Sequence, residues 1–276
     1  MPPLQALAVR TRRSAVRGAG TGPQAAAAAA EETSMNMLLR RGFAARAAHA
    51  LLLALLLALV VPLSCKAADL TPEERRWLQG AAPVLSFARS TGLPLDVIVQ
   101  PQPSPLTAPL SLAFVGGRCK LVLSMRANPE VAAKLARIEP ELLDETIELM
   151  AAHELGHCQR YVDGHWLGLP AGFALRPPAL RDPVLRAEYE QMRAVRREEG
   201  YADLVALAWV EQRYPALFAR LHAWLTAERT NGRVPGSHHD TLAWARLARG
   251  GVVPDGSSIF NAAAALWTAG LAAEAD

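Results

Sequence analysis

The pentapeptide His-Glu-Leu-Gly-His at residues 153–157 constrains the fold of this chain more than any other stretch. It continues an apolar run over residues 147–152, and the spacing predicts one long helix from Leu142 to Val162. Residues four apart project from the same face of a helix, so His153 and His157 can each present a ring nitrogen to one metal ion. The motif therefore predicts a metal site built on a helix.

Two imidazoles, a third protein ligand and an open position for water are the ligand set of a catalytic zinc site. Zinc lowers the pKa of the bound water to about 7, and a neighbouring carboxylate can take the water's proton as it attacks a carbonyl carbon. Glu154 follows the first histidine and is predicted to be that base. Gly156 permits close approach of a neighbouring backbone or of a substrate. We expect one Zn²⁺ ion, bound by His153 and His157.

A second motif supplies candidates for the third ligand. In the segment Glu-Glu-Gly-Tyr-Ala-Asp at residues 198–203, Glu199 and Asp203 are four apart and share one face of a helix predicted over residues 184–211. Such a pair suits one carboxylate, Glu199, as a zinc ligand and the other, Asp203, as a partner that orients a ligating histidine. Glu198 is the competing ligand, although no acidic residue lies at the matching offset from it. Surface ion pairs with nearby arginines are the alternative without function.

Two adjacent histidines, His238 and His239, lie in a predicted loop before a later helix. Because a metal site is predicted upstream, we expect His238 to donate a hydrogen bond to the oxyanion of a tetrahedral intermediate. His239 and Arg246 are the alternatives for this role, and a solvated loop without function is the remaining interpretation.

The two motifs together resemble those of the gluzincin metallopeptidases, with the pattern HExxH followed by ExxxD. The chain looks most like the family that contains the CAAX prenyl endopeptidases and their small exported bacterial relatives. The resemblance covers about residues 110–250. It implies a base at Glu154, a histidine-supporting carboxylate at Asp203, and metal ligands at His153, His157 and Glu199. The multiple membrane spans of the prenyl proteases have no counterpart in the sequence, so the resemblance does not imply a prenylated substrate.

The N-terminal part of the chain predicts export. Residues 1–34 are rich in Arg, Ala, Gly and Pro without apolar periodicity, and we interpret them as disordered or as an extension from a start codon assigned too early. Residues 35–67 contain a short positive region, an uncharged apolar block and small residues near Ala67, which is typical of a secretory signal peptide. Retention of this block as a membrane anchor is the alternative, and attachment as a lipoprotein through Cys65 is a further one. We expect a periplasmic or secreted metallopeptidase domain over residues 68–276.

The basic charge of the whole chain belongs to this leader. Residues 1–67 carry eight Lys or Arg and two Glu, so residues 68–276 carry 21 basic and 24 acidic side chains. The latter part has no basic stripe of the kind that binds phosphates, so we expect no nucleic-acid partner. The expected partner is a peptide or protein substrate, and a membrane is involved only if the leader is retained.

Two cysteines, Cys119 and Cys158, remain after removal of the leader. We expect them to form a disulfide bond, because exported chains meet an oxidising environment. Such a bond would brace the metal site, since Cys158 directly follows His157. Two buried free thiols are the alternative. Cys158 points about 100° away from His157 around a helix, which argues against it as a zinc ligand.

The expected fold class is α+β: a mostly helical, zincin-like fold with a small antiparallel sheet packed on the motif helix. Strands are predicted at residues 95–99, 110–115 and 119–123, with a hairpin turn at Gly116-Gly117 between the last two. An exposed edge of this sheet could hold an extended peptide as an added strand.

We expect the protein to hydrolyse peptide bonds with a zinc-activated water and a glutamate base. A catalytically silent zinc-binding scaffold is the alternative, and the intact Glu154 argues against it, because a scaffold has no need of a base. If the leader is retained, a membrane-anchored quality-control protease is a third possibility.

Overall fold

The structure is a computed structural model that describes residues 69–101, 108–173, 178–231, 233–254 and 257–274. The predicted N-terminal extension at residues 1–34 and the predicted signal peptide or anchor at residues 35–67 lie outside the described residues. None of the helices in the described part has the length and apolarity needed to cross a membrane.

Helices dominate the described residues, and the predicted mostly helical α+β class is confirmed. The helices are α1 (Pro72–Ser90), α2 (Pro129–Leu135), α3 (Leu143–Val162), α4 (Pro183–Arg213), α5 (Phe218–Thr230), α6 (Leu242–Leu247) and α7 (Ile259–Glu274). Short 3₁₀ turns occupy Pro140–Leu142 and Ala248–Gly250. The strands are β1 (Leu95–Pro101), β2 (Leu110–Val115) and β3 (Arg118–Arg126).

The three strands form one sheet in the order β1-β3-β2, and this sheet is mixed. β2 and β3 form the predicted antiparallel hairpin, with positive φ angles at Gly116 and Gly117 that glycine adopts without steric cost. β1 pairs with the other edge of β3 in parallel, with Leu95 opposite Cys119. The prediction of an antiparallel sheet is therefore wrong for β1. A two-residue turn sets the direction of the following strand, whereas the longer connection after β1 leaves both edges of the hairpin and both directions available.

The sheet packs against α1 and α3 through a compact apolar cluster. Its buried members are Trp77, Leu121, Leu123, Met125, Val131 and Ile147. Every second residue of β3 from Cys119 to Met125 is buried, so one face of the central strand is turned towards the helices. The sheet thus covers α3, as predicted.

α3 and α4 approach each other closely at the histidine motif. A Cβ atom added at Gly156 would lie 2.9 Å from Ala202 Cα and 3.2 Å from Val205 Cβ. Only glycine fits this contact without a shift of the α4 backbone. The predicted role of Gly156 in close backbone approach is confirmed, and the contact places the acidic motif of α4 beside the histidines of α3.

A disulfide bond joins Cys119 at the start of β3 to Cys158 on α3. The predicted pairing is confirmed. The bond links the central strand to the residue directly after His157, and both cysteines are fully buried. It therefore ties the sheet to the turn of α3 that carries the second histidine.

Candidate metal centre and cavity

The side chains of His153 and His157 lie one turn apart on α3 and point towards a common position. Their Nε2 atoms are 3.2 Å apart, and the ring planes are nearly perpendicular. The helix that carries them is buried on most sides, and the exposed fractions of the two side chains are only 13% and 8%. The two imidazoles are therefore held in a partly enclosed site.

Glu199 on α4 completes a three-residue group. His153 Nε2 is 3.3 Å from Glu199 Oε2, and His157 Nε2 is 3.4 Å from Glu199 Oε1. Ligand atoms at about 2.0–2.1 Å from a tetrahedral zinc ion are about 3.3–3.4 Å from one another. The three observed separations are close to that value, with a different Glu199 oxygen facing each histidine. Glu199 Oε2 is also buried without a hydrogen-bond partner among the described residues, so the donor set fits a bound cation.

Asp203, one turn further along α4, contacts the ring of His153 on the side away from the candidate site. His153 Nδ1 lies 3.0 Å from Asp203 Oδ1, while the opposite nitrogen, Nε2, faces Glu199 and His157. The side chain of Asp203 is completely buried. This arrangement fixes which ring nitrogen of His153 faces the candidate site, which is the role predicted for Asp203.

Arg229 and Thr241 are the residues of this network that the sequence patterns missed. Arg229 of α5 donates from Nε to Asp203 Oδ2 at 2.8 Å and from Nη2 to Asp203 Oδ1 at 2.6 Å. The hydroxyl of Thr241 donates to Asp203 Oδ2 at 2.5 Å. Neither residue belongs to a spaced motif, and only their placement on other elements brings them to Asp203.

The charges of the group are strongly coupled. Burial opposes ionisation of Asp203, but the Arg229 guanidinium and the hydrogen bond to His153 hold the pKa of Asp203 below its ordinary value. Burial favours neutral His153, yet the hydrogen bond to Asp203 and the adjacent carboxylate of Glu199 raise the pKa of His153 to about 10. Burial likewise opposes the charge of Glu199, and both histidines hold the pKa of Glu199 well below its usual range. Without a metal the group therefore favours a protonated His153, and a bound metal cation would replace that proton.

Glu154 lines the same cavity as His153. Its residue exposure is 9%, and burial raises the pKa of the Glu154 carboxyl. A carboxylate with a raised pKa beside a metal site is suited to accept a proton from water and return it later.

Glu198, the alternative third ligand, is directed away from the group. Both of its carboxylate oxygens accept hydrogen bonds from Arg160, each at 2.8 Å. Oε1 also accepts from the backbone N–H of Leu167. Glu198 is nearly fully buried in this ion pair, which anchors the loop after α3.

A row of aromatic rings supports His157. Phe114 of β2 stacks on Tyr161 at 5.0 Å, Tyr161 stacks on Trp166 at 4.0 Å, and Trp166 meets the His157 ring edge-on at 5.6 Å. His157 Nδ1 is buried and has no hydrogen-bond partner among the described residues. His157 is therefore positioned by ring packing, whereas His153 is positioned by a carboxylate.

His238 and His239 both line the cavity, and both are exposed. His239 Nε2 is 3.6 Å from Glu199 Oε2. The rings of the two histidines are 4.2 Å apart. Arg246 is exposed on α6 and is absent from the residues that line the cavity in the described part of the chain.

The cavity next to the metal group has a volume of about 480 Å³. It is bounded by residues of α1, the start of β2, α2, α3, α5 and the loop before α6. A space of this size, open to solvent beside a carboxylate and two imidazoles, can admit one or two residues of a peptide.

The chain matches no protein-family model, and neither the curated proteins nor the solved structures include a significant match to it.

Proposed function

We propose that this protein is a zinc-dependent metallopeptidase of zincin-like fold, related to the gluzincins that its two motifs resemble. The observation that carries the proposal is the spacing of the His153, His157 and Glu199 ligand atoms at 3.2–3.4 Å. Glu154 stands beside them, and Asp203 holds His153 from the outside. No one of these features alone would distinguish a metal site from a buried ion-pair network.

The proposed roles follow from the contacts. His153, His157 and Glu199 hold one zinc ion. When bound there, zinc would polarise a carbonyl group and lower the pKa of a bound water. Glu154 takes the proton from the attacking water and passes it to the leaving amine.

The oxyanion of the intermediate needs a hydrogen-bond donor from the cavity wall. His238 is the donor expected from the sequence, and it lines the cavity. His239 is the competing candidate, because its ring reaches within 3.6 Å of Glu199. Separate replacement of each by alanine, followed by comparison of kcat, assigns the role to the one with the larger loss.

The edge strand β2 offers a way to hold the substrate. It pairs with β3 along one side only within the described residues, and Leu110 at its beginning lines the cavity. An extended peptide that adds to this edge would run beside α3 and bring a backbone carbonyl near Glu154.

Export is part of the proposal. The Cys119–Cys158 disulfide supports it, because structural disulfides persist mainly in oxidising compartments. A cleaved leader gives a soluble periplasmic or secreted enzyme, and a retained one gives a membrane-anchored quality-control protease. Mass spectrometry of the N-terminus of the exported chain separates the two.

The competing function, a zinc-binding scaffold, is disfavoured by Glu154. Burial raises the pKa of this carboxyl, so keeping it at the cavity wall costs folding free energy. A scaffold would gain nothing in return for that cost.

The decisive test uses zinc-loaded protein that begins at Ala68, a degenerate peptide mixture and mass spectrometry of new termini. Glu154→Gln, prepared in the same way, is the matched control because it keeps the size and polarity of the side chain but cannot act as a base. We expect cleavage by the native protein, and zinc binding without turnover by the variant. Equal cleavage by both would refute Glu154 as the base. Absence of cleavage by both, with one zinc bound to each, would favour the scaffold.

A further inference from the structure

We propose that the wall of the cavity formed by α2 and α5 is a carboxylate-binding subsite, in which Lys134 pairs with an anionic group of the substrate. The inference rests on the proposed peptidase function, because it assigns a substrate class to the same cavity. The shared chemistry is a carboxylate, supplied either by an acidic side chain next to the scissile bond or by the C-terminus of the peptide.

The cavity is lined by apolar side chains as well as by charged ones. The apolar side chains that line it are Trp77, Leu110, Leu149, Met150, Trp224 and Leu225. Leu149 and Met150 precede His153 on α3 by four and three residues, which corresponds to about 4.5–6 Å along the helix axis. Apolar side chains thus line the cavity close to the candidate metal group.

Lys134 shares its nearest carboxylate, Glu228, with a second cation, Arg137. Glu228 accepts hydrogen bonds from Arg137 through both carboxylate oxygens, at 2.9 and 3.2 Å. Lys134 Nζ lies 3.7 Å from Glu228 Oε2, which is beyond hydrogen-bond length. Two cations thus share one carboxylate, and Arg137 has the better geometry.

The other cationic side chains that line the cavity are neutralised by partners of their own. Arg229 is bound to Asp203, and Arg233 donates to Asp240 at 2.6 and 3.1 Å. Lys134 is therefore the cavity-lining cation with the weakest compensation in the described part of the chain.

The environment of Lys134 makes an incoming anion favourable. About one third of its side chain is exposed, and it lines the cavity. Burial lowers the pKa of Lys134, because Glu228 does not fully compensate the charge. A substrate carboxylate would supply the missing partner, and the apolar walls would strengthen the interaction by excluding water.

The test uses peptides that carry one glutamate scanned along the sequence, each paired with the glutamine version. Each peptide is made with a free and with an amidated C-terminus. Affinity is measured with the zinc-loaded Glu154→Gln protein, and cleavage with the zinc-loaded native protein. Lys134→Gln removes the proposed charge, and Lys134→Arg keeps it. Lys120→Gln is the matched control, since Lys120 pairs with Asp96 on the sheet, outside the cavity.

We expect one carboxylate version to bind about tenfold or more tightly than its neutral partner, the equivalent of one charge-assisted hydrogen bond. Lys134→Gln should remove this preference, while Lys134→Arg and Lys120→Gln should keep it. A glutamate preference assigns the carboxylate to a side chain, and a free-terminus preference assigns it to the C-terminus. Equal binding of charged and neutral peptides, or a preference that survives in Lys134→Gln, would overturn the subsite.

The two proposals fail in different ways. Cleavage that depends on Glu154 but shows no carboxylate preference supports the peptidase proposal and refutes the subsite. Binding with a preference that depends on Lys134, without cleavage of any peptide, supports the subsite and refutes the peptidase.

Discussion

Replacement of Asp203 by asparagine should damage both the fold and the metal site. The native carboxylate accepts hydrogen bonds from Arg229, Thr241 and the ring of His153, and none of its surface is exposed. Asparagine preserves the size of the side chain but removes the charge, and its amide group introduces a donor where only acceptors fit.

The largest part of the cost comes from Arg229. Its side chain is 15% exposed, and both bonds of the guanidinium to Asp203 lie within the core of the network. Removal of one partner from a buried ion pair costs about 3–5 kcal/mol, because the remaining charge is left uncompensated. We expect Asp203→Asn to lose about 3 kcal/mol, since the partial exposure of Arg229 permits some hydration. The loss of a carboxylate behind His153 should also weaken zinc binding by about 10–100-fold.

The assay is urea unfolding of the chain from Ala68 at pH 7 with a chelator present, so that metal binding does not contribute. Zinc affinity is measured separately by competition with a chromogenic chelator. Folding lowers the pKa of Asp203, so its contribution is fully present above the ordinary carboxyl pKa of about 3.9. The difference between native protein and variant should therefore persist at neutral pH and shrink only as the pH falls below that value.

Asp96→Asn is the matched control. Asp96 bonds to Arg118 and Lys120 on the solvent-exposed part of the sheet, so we expect only a small change in stability there. An Asp203→Asn protein that unfolds at the same urea concentration as Asp96→Asn, and binds zinc as tightly, would refute the assigned role of the buried network.

Three further results are expected. His157→Ala should lose zinc and thermal stability together, because only two of the three proposed ligands remain and the stability that a bound metal supplies is lost with it; full zinc occupancy by elemental analysis would contradict this. Zinc binding at pH 7 should release a proton, and the affinity for zinc should rise with pH, since the pKa of His153 is raised to about 10. Calorimetry in buffers of different ionisation enthalpy measures the proton release. A zinc affinity that does not depend on pH would contradict this prediction. Gly156→Val should destabilise the fold by about 1–3 kcal/mol through its contact with Ala202, whereas Gly250→Val, where an added Cβ meets nothing within 4 Å, should have little effect.

The motif residues show how far local spacing can be used. The pairs His153 and His157, and Glu199 and Asp203, each depend only on the repeat of one helix, and the structure brings both pairs to the same point. The competition between Glu198 and Glu199 was open from spacing alone. It is decided by Arg160, a residue 38 positions before Glu198, which holds that carboxylate away from the group.

Among the strands and the disulfide, too, some features could be predicted from the sequence and others could not. The hairpin of β2 and β3 was predictable because two glycines determine the turn between adjacent segments. The parallel pairing of β1 was not, because its partner lies beyond an intervening strand. The pairing of Cys119 with Cys158 was predictable for a simpler reason, since only two cysteines remain after the leader.

The sequence by itself determined that two histidines share one helix face, that a carboxylate pair shares a face of another helix, and that a hairpin precedes them. Only the tertiary structure decided that Arg229 and Thr241 bind Asp203, that His239 comes within 3.6 Å of Glu199, and that Lys134 shares Glu228 with Arg137. The physical reason is the range of the interactions. Backbone periodicity acts between neighbours and leaves a pattern in the sequence, whereas contacts between α2, α4 and α5 depend on how the helices pack, which no spacing along the chain records.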